Sequence, residues 1–245
     1  MDSNSPLKRA LRGLVAIAGL LCVSGLSVSS LSASTPFVDL ELVLAVDASG
    51  SVDHEEYRLQ LSGIAAAFRD AEVVSASRSG LHGRIAAKML IWSDNYLPTA
   101  ATTWYVIDDA DSAEIFARHV ETFPRSIIDN GTGIGNALLR AADAIEENNL
   151  IGTRRVIDVS GDGRENSVSG GGKLITEARE EMRRRGIIVN GLAILAEEPS
   201  LASYYHQQLI VGPSAFVMSV GTFQDFAKAM RMKLLREIGQ RAPVS

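Results

Sequence analysis

The run from Leu40 to Val46 limits the fold more than any other feature of this chain. It is apolar at every position but Glu41 and lacks the alternation of a half-exposed strand. A strand of that kind needs cover on both faces, as in the interior of a parallel sheet flanked by helices. It ends abruptly in Asp47-Ala48-Ser49-Gly50-Ser51. Helical spacing follows at Tyr57, Leu61, Ile64, Ala65 and Phe68, with Asp53 and Glu56 placed as a capping box at its start.

The same alternation continues along the chain. Strands are expected at Ile85 to Trp92 and Trp104 to Ile107, with too few residues between them for a crossover helix, so these two should pair antiparallel. A helix from about Ser112 to Thr122 precedes a loop through Asn130-Gly131-Thr132-Gly133, and a second helix runs from Ile134 to about Glu147. Strand Val156 to Val159 enters Ser160-Gly161-Asp162-Gly163. A flexible loop, Ser169 to Gly172, leads to a helix near Leu174 to Arg185. The remainder reads as strand Ile187 to Leu195, a short helical stretch Leu201 to Leu209, strand Ala215 to Val220, and a closing helix with Phe223, Phe226, Met230, Leu234 and Ile238 on one face. The expected architecture is α/β and Rossmann-like: a doubly wound, mostly parallel six-stranded sheet with helices on both faces and one antiparallel edge strand. Ligands on such sheets bind beyond the carboxyl ends of the strands.

The chain opens with Lys8, Arg9 and Arg12, an apolar stretch from Gly13 to about Val28, and small residues around Ser32, Ala33 and Ser34. That is the layout of a cleavable secretory signal over residues 1–34. The stretch to Leu31 approaches the length of a membrane anchor, but its serines and glycine dilute the second half. Cys22 follows Leu21, where a lipid-attachment signal wants a small residue, so no lipid is expected. Cleavage leaves about 210 residues, enough for one domain over 35–245 with a full core. Cys22 is the single cysteine, so the mature chain forms no disulfide and no thiolate metal site.

The whole chain carries a net charge of −5, and losing Asp2 with Lys8, Arg9 and Arg12 takes the mature protein to about −7. That balance argues against general nucleic-acid binding. The Arg183-Arg184-Arg185 run follows Glu180 and Glu181 on an expected helix and reads as a solvated face.

Three polar clusters stand just after strands or at the start of a helix: Asp47, Ser49 and Ser51; Thr132; and Asp162. In a parallel α/β sheet these loops open on the same edge, so the side chains can meet. All five offer oxygen, none sulfur or imidazole, which suits a hard divalent cation. Two carboxylates balance its charge and the hydroxyls ligate without adding more. Mg²⁺ takes six oxygens and retains water, which leaves room for an oxygen from outside.

These motifs resemble the metal-ion-dependent adhesion site of von Willebrand factor type A domains, and more closely a poorly characterised group of secreted bacterial proteins carrying such a domain. The similarity spans about Asp39 to Ile238, with Asp47-x-Ser49-x-Ser51, Thr132 and Asp162 in the family's order. The resemblance implies that Ser49, Ser51 and usually Thr132 ligate Mg²⁺, or Mn²⁺ or Ca²⁺, directly. Asp47 and Asp162 often act through water, and a partner carboxylate completes the shell. It does not name the partner, because the surrounding loops choose it.

Competing motifs fail on particular residues. A calcium helix-loop-helix starting at Asp47 would need Glu where Arg58 stands, and a helix rather than a strand before it. Asp53 reads as an N-cap, not a ligand. Gly170-Gly171-Gly172-Lys173 lacks the first Gly of a phosphate loop at Ser167 and the Ser or Thr at Leu174. Gly131, Gly133 and Gly135 approach a dinucleotide fingerprint that Asn136 breaks. An aspartyl-phosphate phosphatase would need a second Asp where Ser49 stands. His54, His82, His119 and His206 form no metal pair, and no serine-nucleophile elbow is present. Asn130-Gly131-Thr132 fits a glycosylation acceptor by accident, and Ser93 or Asp94 supports the metal from behind or forms a plain turn. The expectation is therefore a non-enzymatic, exported module of the periplasm or extracellular space. It captures a protein ligand by an Asp or Glu carboxylate, with no stable membrane span after cleavage and specificity from loops Ser93–Thr103 and Arg164–Gly172. The alternative is a metal-dependent hydrolase using the ion as a Lewis acid.

Overall fold

The computed structural model describes residues 37–94, 100–126, 131–166 and 174–240. The leader with Cys22, Asn130, and the segment holding Gly170 to Lys173 lie outside them. In chain order the elements are β1 (Phe37–Val38), β2 (Glu41–Asp47), α1 (His54–Arg69), α2 (Ala71–Ser77), β3 (Ile85–Trp92), β4 (Ala100–Ala101), β5 (Tyr105–Ile107), α3 (Ala110–Glu121) and α4 (Ile134–Glu146). There follow β6 (Ile151–Gly152), β7 (Arg155–Gly161), α5 (Ile175–Arg185), β8 (Ile188–Ile194), α6 (Leu201–Gln208), β9 (Val217–Val220), a 3-10 turn (Phe223–Asp225) and α7 (Phe226–Gly239).

The main sheet runs β4-β3-β2-β7-β8-β9, with β5 also paired to β3. Strands β3, β2, β7, β8 and β9 are parallel, while β4 and β5 run antiparallel to β3. Every position of β2 is buried, which is why its sequence reads as an unbroken apolar run. Leu42, Leu44 and Val46 pack on one face with Ile64 and Phe68 of α1, Phe116 of α3 and Phe226 and Leu234 of α7. Val43 and Ala45 pack on the other with Leu138 of α4, Met182 of α5 and Tyr205 of α6. Phe68 and Phe116 meet edge to face with centroids 4.7 Å apart, a geometry that adds to their area burial.

Several elements depart from the sequence pattern. Among the described residues the main sheet has seven strands rather than six, because β4, outside the expected strands, also pairs antiparallel with β3. Thr102 stands between β4 and β5: its Oγ1 accepts from Met89 N at 3.0 Å and donates to Thr103 O at 2.8 Å, so a side chain takes over one rung of the ladder. Helix α2 was not expected. Asp70 ends α1 and immediately caps α2, its Oδ1 accepting from Glu72 N at 3.0 Å and Val73 N at 3.2 Å. A two-residue parallel pair, β1 with β6, lies apart from the main sheet. The capping box of α1 forms as expected: Asp53 Oδ1 accepts from Glu55 N and Glu56 N, and Glu56 Oε2 accepts from Asp53 N at 2.8 Å.

The arginine run of α5 is paired throughout. Arg183 meets Glu180, Arg184 meets Glu181, and Arg185 reaches Asp143 at 2.9 Å and Glu146 at 3.1 Å on α4. Gly186 then closes α5 at φ 64°, the left-handed position that glycine occupies without steric cost.

Helix α7 buries charge as well as apolar surface. Lys233 lies 2.5 Å from Asp158 Oδ1 on β7 and 2.6 Å from Glu237 Oε1 one turn on, and the three side chains are at most 1% exposed. Asn190 Nδ2 donates to Glu237 Oε1 at 2.8 Å, and Phe216 N donates to Asn190 Oδ1 at 3.0 Å. Burial, then the neighbouring Glu237, pushes Asp158 up to about 7.

Candidate metal centre

The order of the sheet places the site. From β2 the chain steps to β3 on one side, then returns to β7 on the other, so the loops leaving β2 and β7 part and open a crevice at their carboxyl ends. Asp47 is the last residue of β2 and Asp162 follows the last residue of β7. Asp47, Ser49, Thr132 and Asp162 are buried, and Ser51 is exposed at the mouth.

The five predicted residues come together in this crevice. Ser49 N donates to Asp47 Oδ1 at 2.8 Å, fixing the turn after β2. Ser49 Oγ and Ser51 Oγ are 3.3 Å apart, and Ser51 Oγ donates to Asp162 Oδ1 at 2.8 Å across the crevice. Thr132 reaches the same place from the start of α4: a Cβ on Gly163 would sit 3.4 Å from Thr132 Oγ1. Its backbone is tied to the β7 loop in both directions, Thr132 N donating to Asn166 Oδ1 at 2.7 Å and Asn166 N to Thr132 O at 3.0 Å.

The electrostatics of the pair suit a cation. Burial first, then the charge of Asp162, raises Asp47 to about 7 in spite of the Ser49 hydrogen bonds. Burial likewise raises Asp162, against the lowering effect of Ser51. Asp47 Oδ2 and Asp162 Oδ2 are both buried with no hydrogen-bond partner. Buried carboxylate oxygens are seldom left so unless a cation or solvent serves them. With three hydroxyls beside them, the donor set fits a hard divalent ion. Among the described residues no group of three or more His, Cys, Asp and Glu is placed to hold a metal.

Residues without any local sequence signal hold these side chains in place. Gln60 of α1, fully buried, donates from Nε2 to Asp47 O at 3.0 Å. Arg125, between α3 and Thr132, aims Nη2 at three carbonyls of the β2 loop: Ala48 O at 3.4 Å, Ser49 O at 3.2 Å, and Val52 O. Its guanidinium also lies 5.8 Å from the Tyr57 ring centroid. Glu165 Oε2 accepts from Gly135 N at 2.7 Å, serving a helix start whose own N-cap, Gly133, has no side chain to do so. Ser93 supports the site by its backbone, its carbonyl accepting from Gly133 N at 2.7 Å. A cavity of about 560 Å³ lined by Asp39, Leu81, Arg154 and Ile238 shares no residue with this centre.

A family model described as "Protein of unknown function (DUF1194)" matches residues 37–242. The chain belongs to the DUF1194 family. No curated protein sequence matches it. Solved structures share the fold of this DUF1194 chain. Proximal thread matrix protein 1 from the mussel byssus superposes with a TM-score of 0.56 at 17% identity, over 81% of this chain and 46% of that one. The pilus adhesin SpaC from Lactobacillus rhamnosus GG gives 0.60 at 12% identity, over 82% and 30%. The vWF domain of the type V pili tip protein Mfa5 from Porphyromonas gingivalis gives 0.54 at 11% identity, over 85% and 98%. The DUF1194 chain thus spans less than half of the first two proteins and nearly all of the third, a domain by itself. Its fold is that of von Willebrand factor type A domains. A further structure of the mussel protein, at TM-score 0.55 and 15% identity over 81% of this chain and 48% of that one, has a zinc-occupied MIDAS motif.

Proposed function

We propose that this DUF1194 protein is an exported, metal-dependent protein-binding module. Asp47, Ser49, Ser51, Thr132 and Asp162 hold a divalent cation, Mg²⁺ foremost, and a partner's Asp or Glu carboxylate completes its coordination. The observation that carries the reading is the pair of buried carboxylates, each with an unpartnered oxygen, drawn to one crevice with three hydroxyls. Ser51 stands at the exposed mouth, where an incoming oxygen meets the centre first. When bound, the cation supplies a positive charge that neither aspartate over-neutralises, and so a seat for an anionic group. The chain's own residues fix the ligands: Gln60 and Arg125 hold the β2 loop by its backbone, and Asn166 holds Thr132.

Similarity to an adhesin, a pilus tip domain and a protein with a metal-occupied motif of the same kind supports binding over catalysis. The basic, apolar and small-residue regions of residues 1–34 support export followed by cleavage. Among the described residues no helix is long and apolar enough to cross a membrane. Isothermal titration of the domain from residue 35 with Mg²⁺ and Mn²⁺ tests the proposal. Saturable binding that Asp47→Ala abolishes supports it. Absence of binding, or an Asp47→Ala variant that binds equally, ends it. Metal-dependent turnover in a screen of phosphoesters and peptides, lost in Asp162→Ala, would transfer the site to a hydrolase instead.

A further inference from the structure

Tyr205 is the one large aromatic side chain buried against this centre from helix α6. It is 0% exposed, and its ring packs so closely on β8 that a Cβ on Gly191 would sit 2.9 Å from its Cδ2. Its ring is therefore fixed by packing. Its hydroxyl, however, is buried without a hydrogen-bond partner, which is unusual for a tyrosine in a protein interior.

The direction of that hydroxyl is given by Gly161, the last residue of β7. A Cβ on Gly161 would lie 2.8 Å from Tyr205 Oη and equally 2.8 Å from Asp47 Oδ2. The two oxygens therefore flank one glycine and are at most twice that distance apart. Asp47 Oδ2 is also buried and unpartnered. One of these atoms can only accept and the other can donate. A phenol, with an ordinary pKa of about 10, carries its proton at neutral pH and is the donor of the two.

Resting on the metal-binding reading of this site, we propose that Tyr205 is a positioning residue of the centre. With the cation bound, rotation of the Asp47 carboxylate brings Oδ2 to the fixed hydroxyl, which donates to it and sets the carboxylate's orientation. Groups in this position orient a ligand without touching the metal, and their loss commonly weakens metal binding by about 10–100-fold. Gly161 is part of the device, since a Cβ there would crowd both oxygens at 2.8 Å.

This role separates two properties that packing alone would move together. In the metal-free protein the hydroxyl is a buried polar group without a partner, so Tyr205→Phe removes a burden on the fold while keeping the ring. In the metal-bound protein the same change removes a hydrogen bond from Asp47. Thermal unfolding in chelator should therefore give Tyr205→Phe a midpoint equal to or above that of the unaltered protein. Titration calorimetry should give it a Mg²⁺ or Mn²⁺ dissociation constant about 10–100-fold higher. Unchanged affinity overturns the proposal, and leaves the metal site standing if Asp47→Ala still abolishes binding. A lower midpoint in chelator also overturns it, by showing that the hydroxyl serves the fold rather than the centre. If the unaltered protein binds no metal, the reading of the site fails and Tyr205's role fails with it.

Discussion

Replacing Lys233 with Met leaves Asp158 and Glu237 facing each other in the interior with no cation between them. Lys233 is fully buried and lies within 2.6 Å of both carboxylates, while Asn190 serves only Glu237. Removing one partner from such a cluster strands buried charge, which costs about 3–5 kcal/mol. In a domain of this size each kcal/mol moves the unfolding midpoint by about 2–4 °C, so Lys233→Met should fall by about 6–20 °C in calorimetry at pH 7.5. The loss should shrink on acidification. The folded value of Asp158, about 7, lies above its unfolded value of about 3.9. Its contribution to stability is thus fully present below about pH 4 and fades as pH rises through about 7. In the variant, with the cation gone, protonation of Asp158 is the remaining way to remove a stranded charge, so the deficit should be smaller at pH 5 than at pH 8. Asp158→Asn added to Lys233→Met should recover much of the midpoint. A Lys233→Met protein within 1 kcal/mol of the unaltered one, with no dependence on pH, would refute the reasoning.

Two further outcomes separate the roles of side chains close to the metal centre. Arg125→Ala should raise the Mg²⁺ dissociation constant about tenfold in titration calorimetry, because three carbonyls of the β2 loop lose their common donor, and Arg125→Lys should not restore it, since an ammonium lacks the guanidinium's reach and planarity. Asp53→Ala should lower stability by about 1 kcal/mol in urea denaturation with metal affinity unchanged, because Asp53 caps α1 rather than ligates.

The parts of the fold visible in the sequence are those whose signals are local. The apolar run of β2, the Asp-x-Ser-x-Ser turn after it, and the Asp53–Glu56 box can each be recognised within a few residues. Helix α2 escaped because it has only seven residues with Val73 and Ser77 buried, too short for a period to show. Strand β4 escaped because two alanines, Ala100 and Ala101, are too short a run to alternate. Gln60, Arg125 and Tyr205 meet the loops of the proposed centre only through tertiary packing, so no spacing announces them. Lys233 and Glu237 look like solvent-facing residues of an amphipathic helix. The available clue was Asp158, a carboxylate in the middle of the strand Val156–Val159, which required a cation from elsewhere.

Arg125 grips the β2 loop only by its main-chain carbonyls. The acceptors are the carbonyls of Ala48, Ser49 and Val52, so the grip does not depend on the side chains those positions carry. What the loop displays and what keeps it in place are therefore written at two distant addresses in the chain. One change at position 125 would loosen the loop whichever side chains it carries.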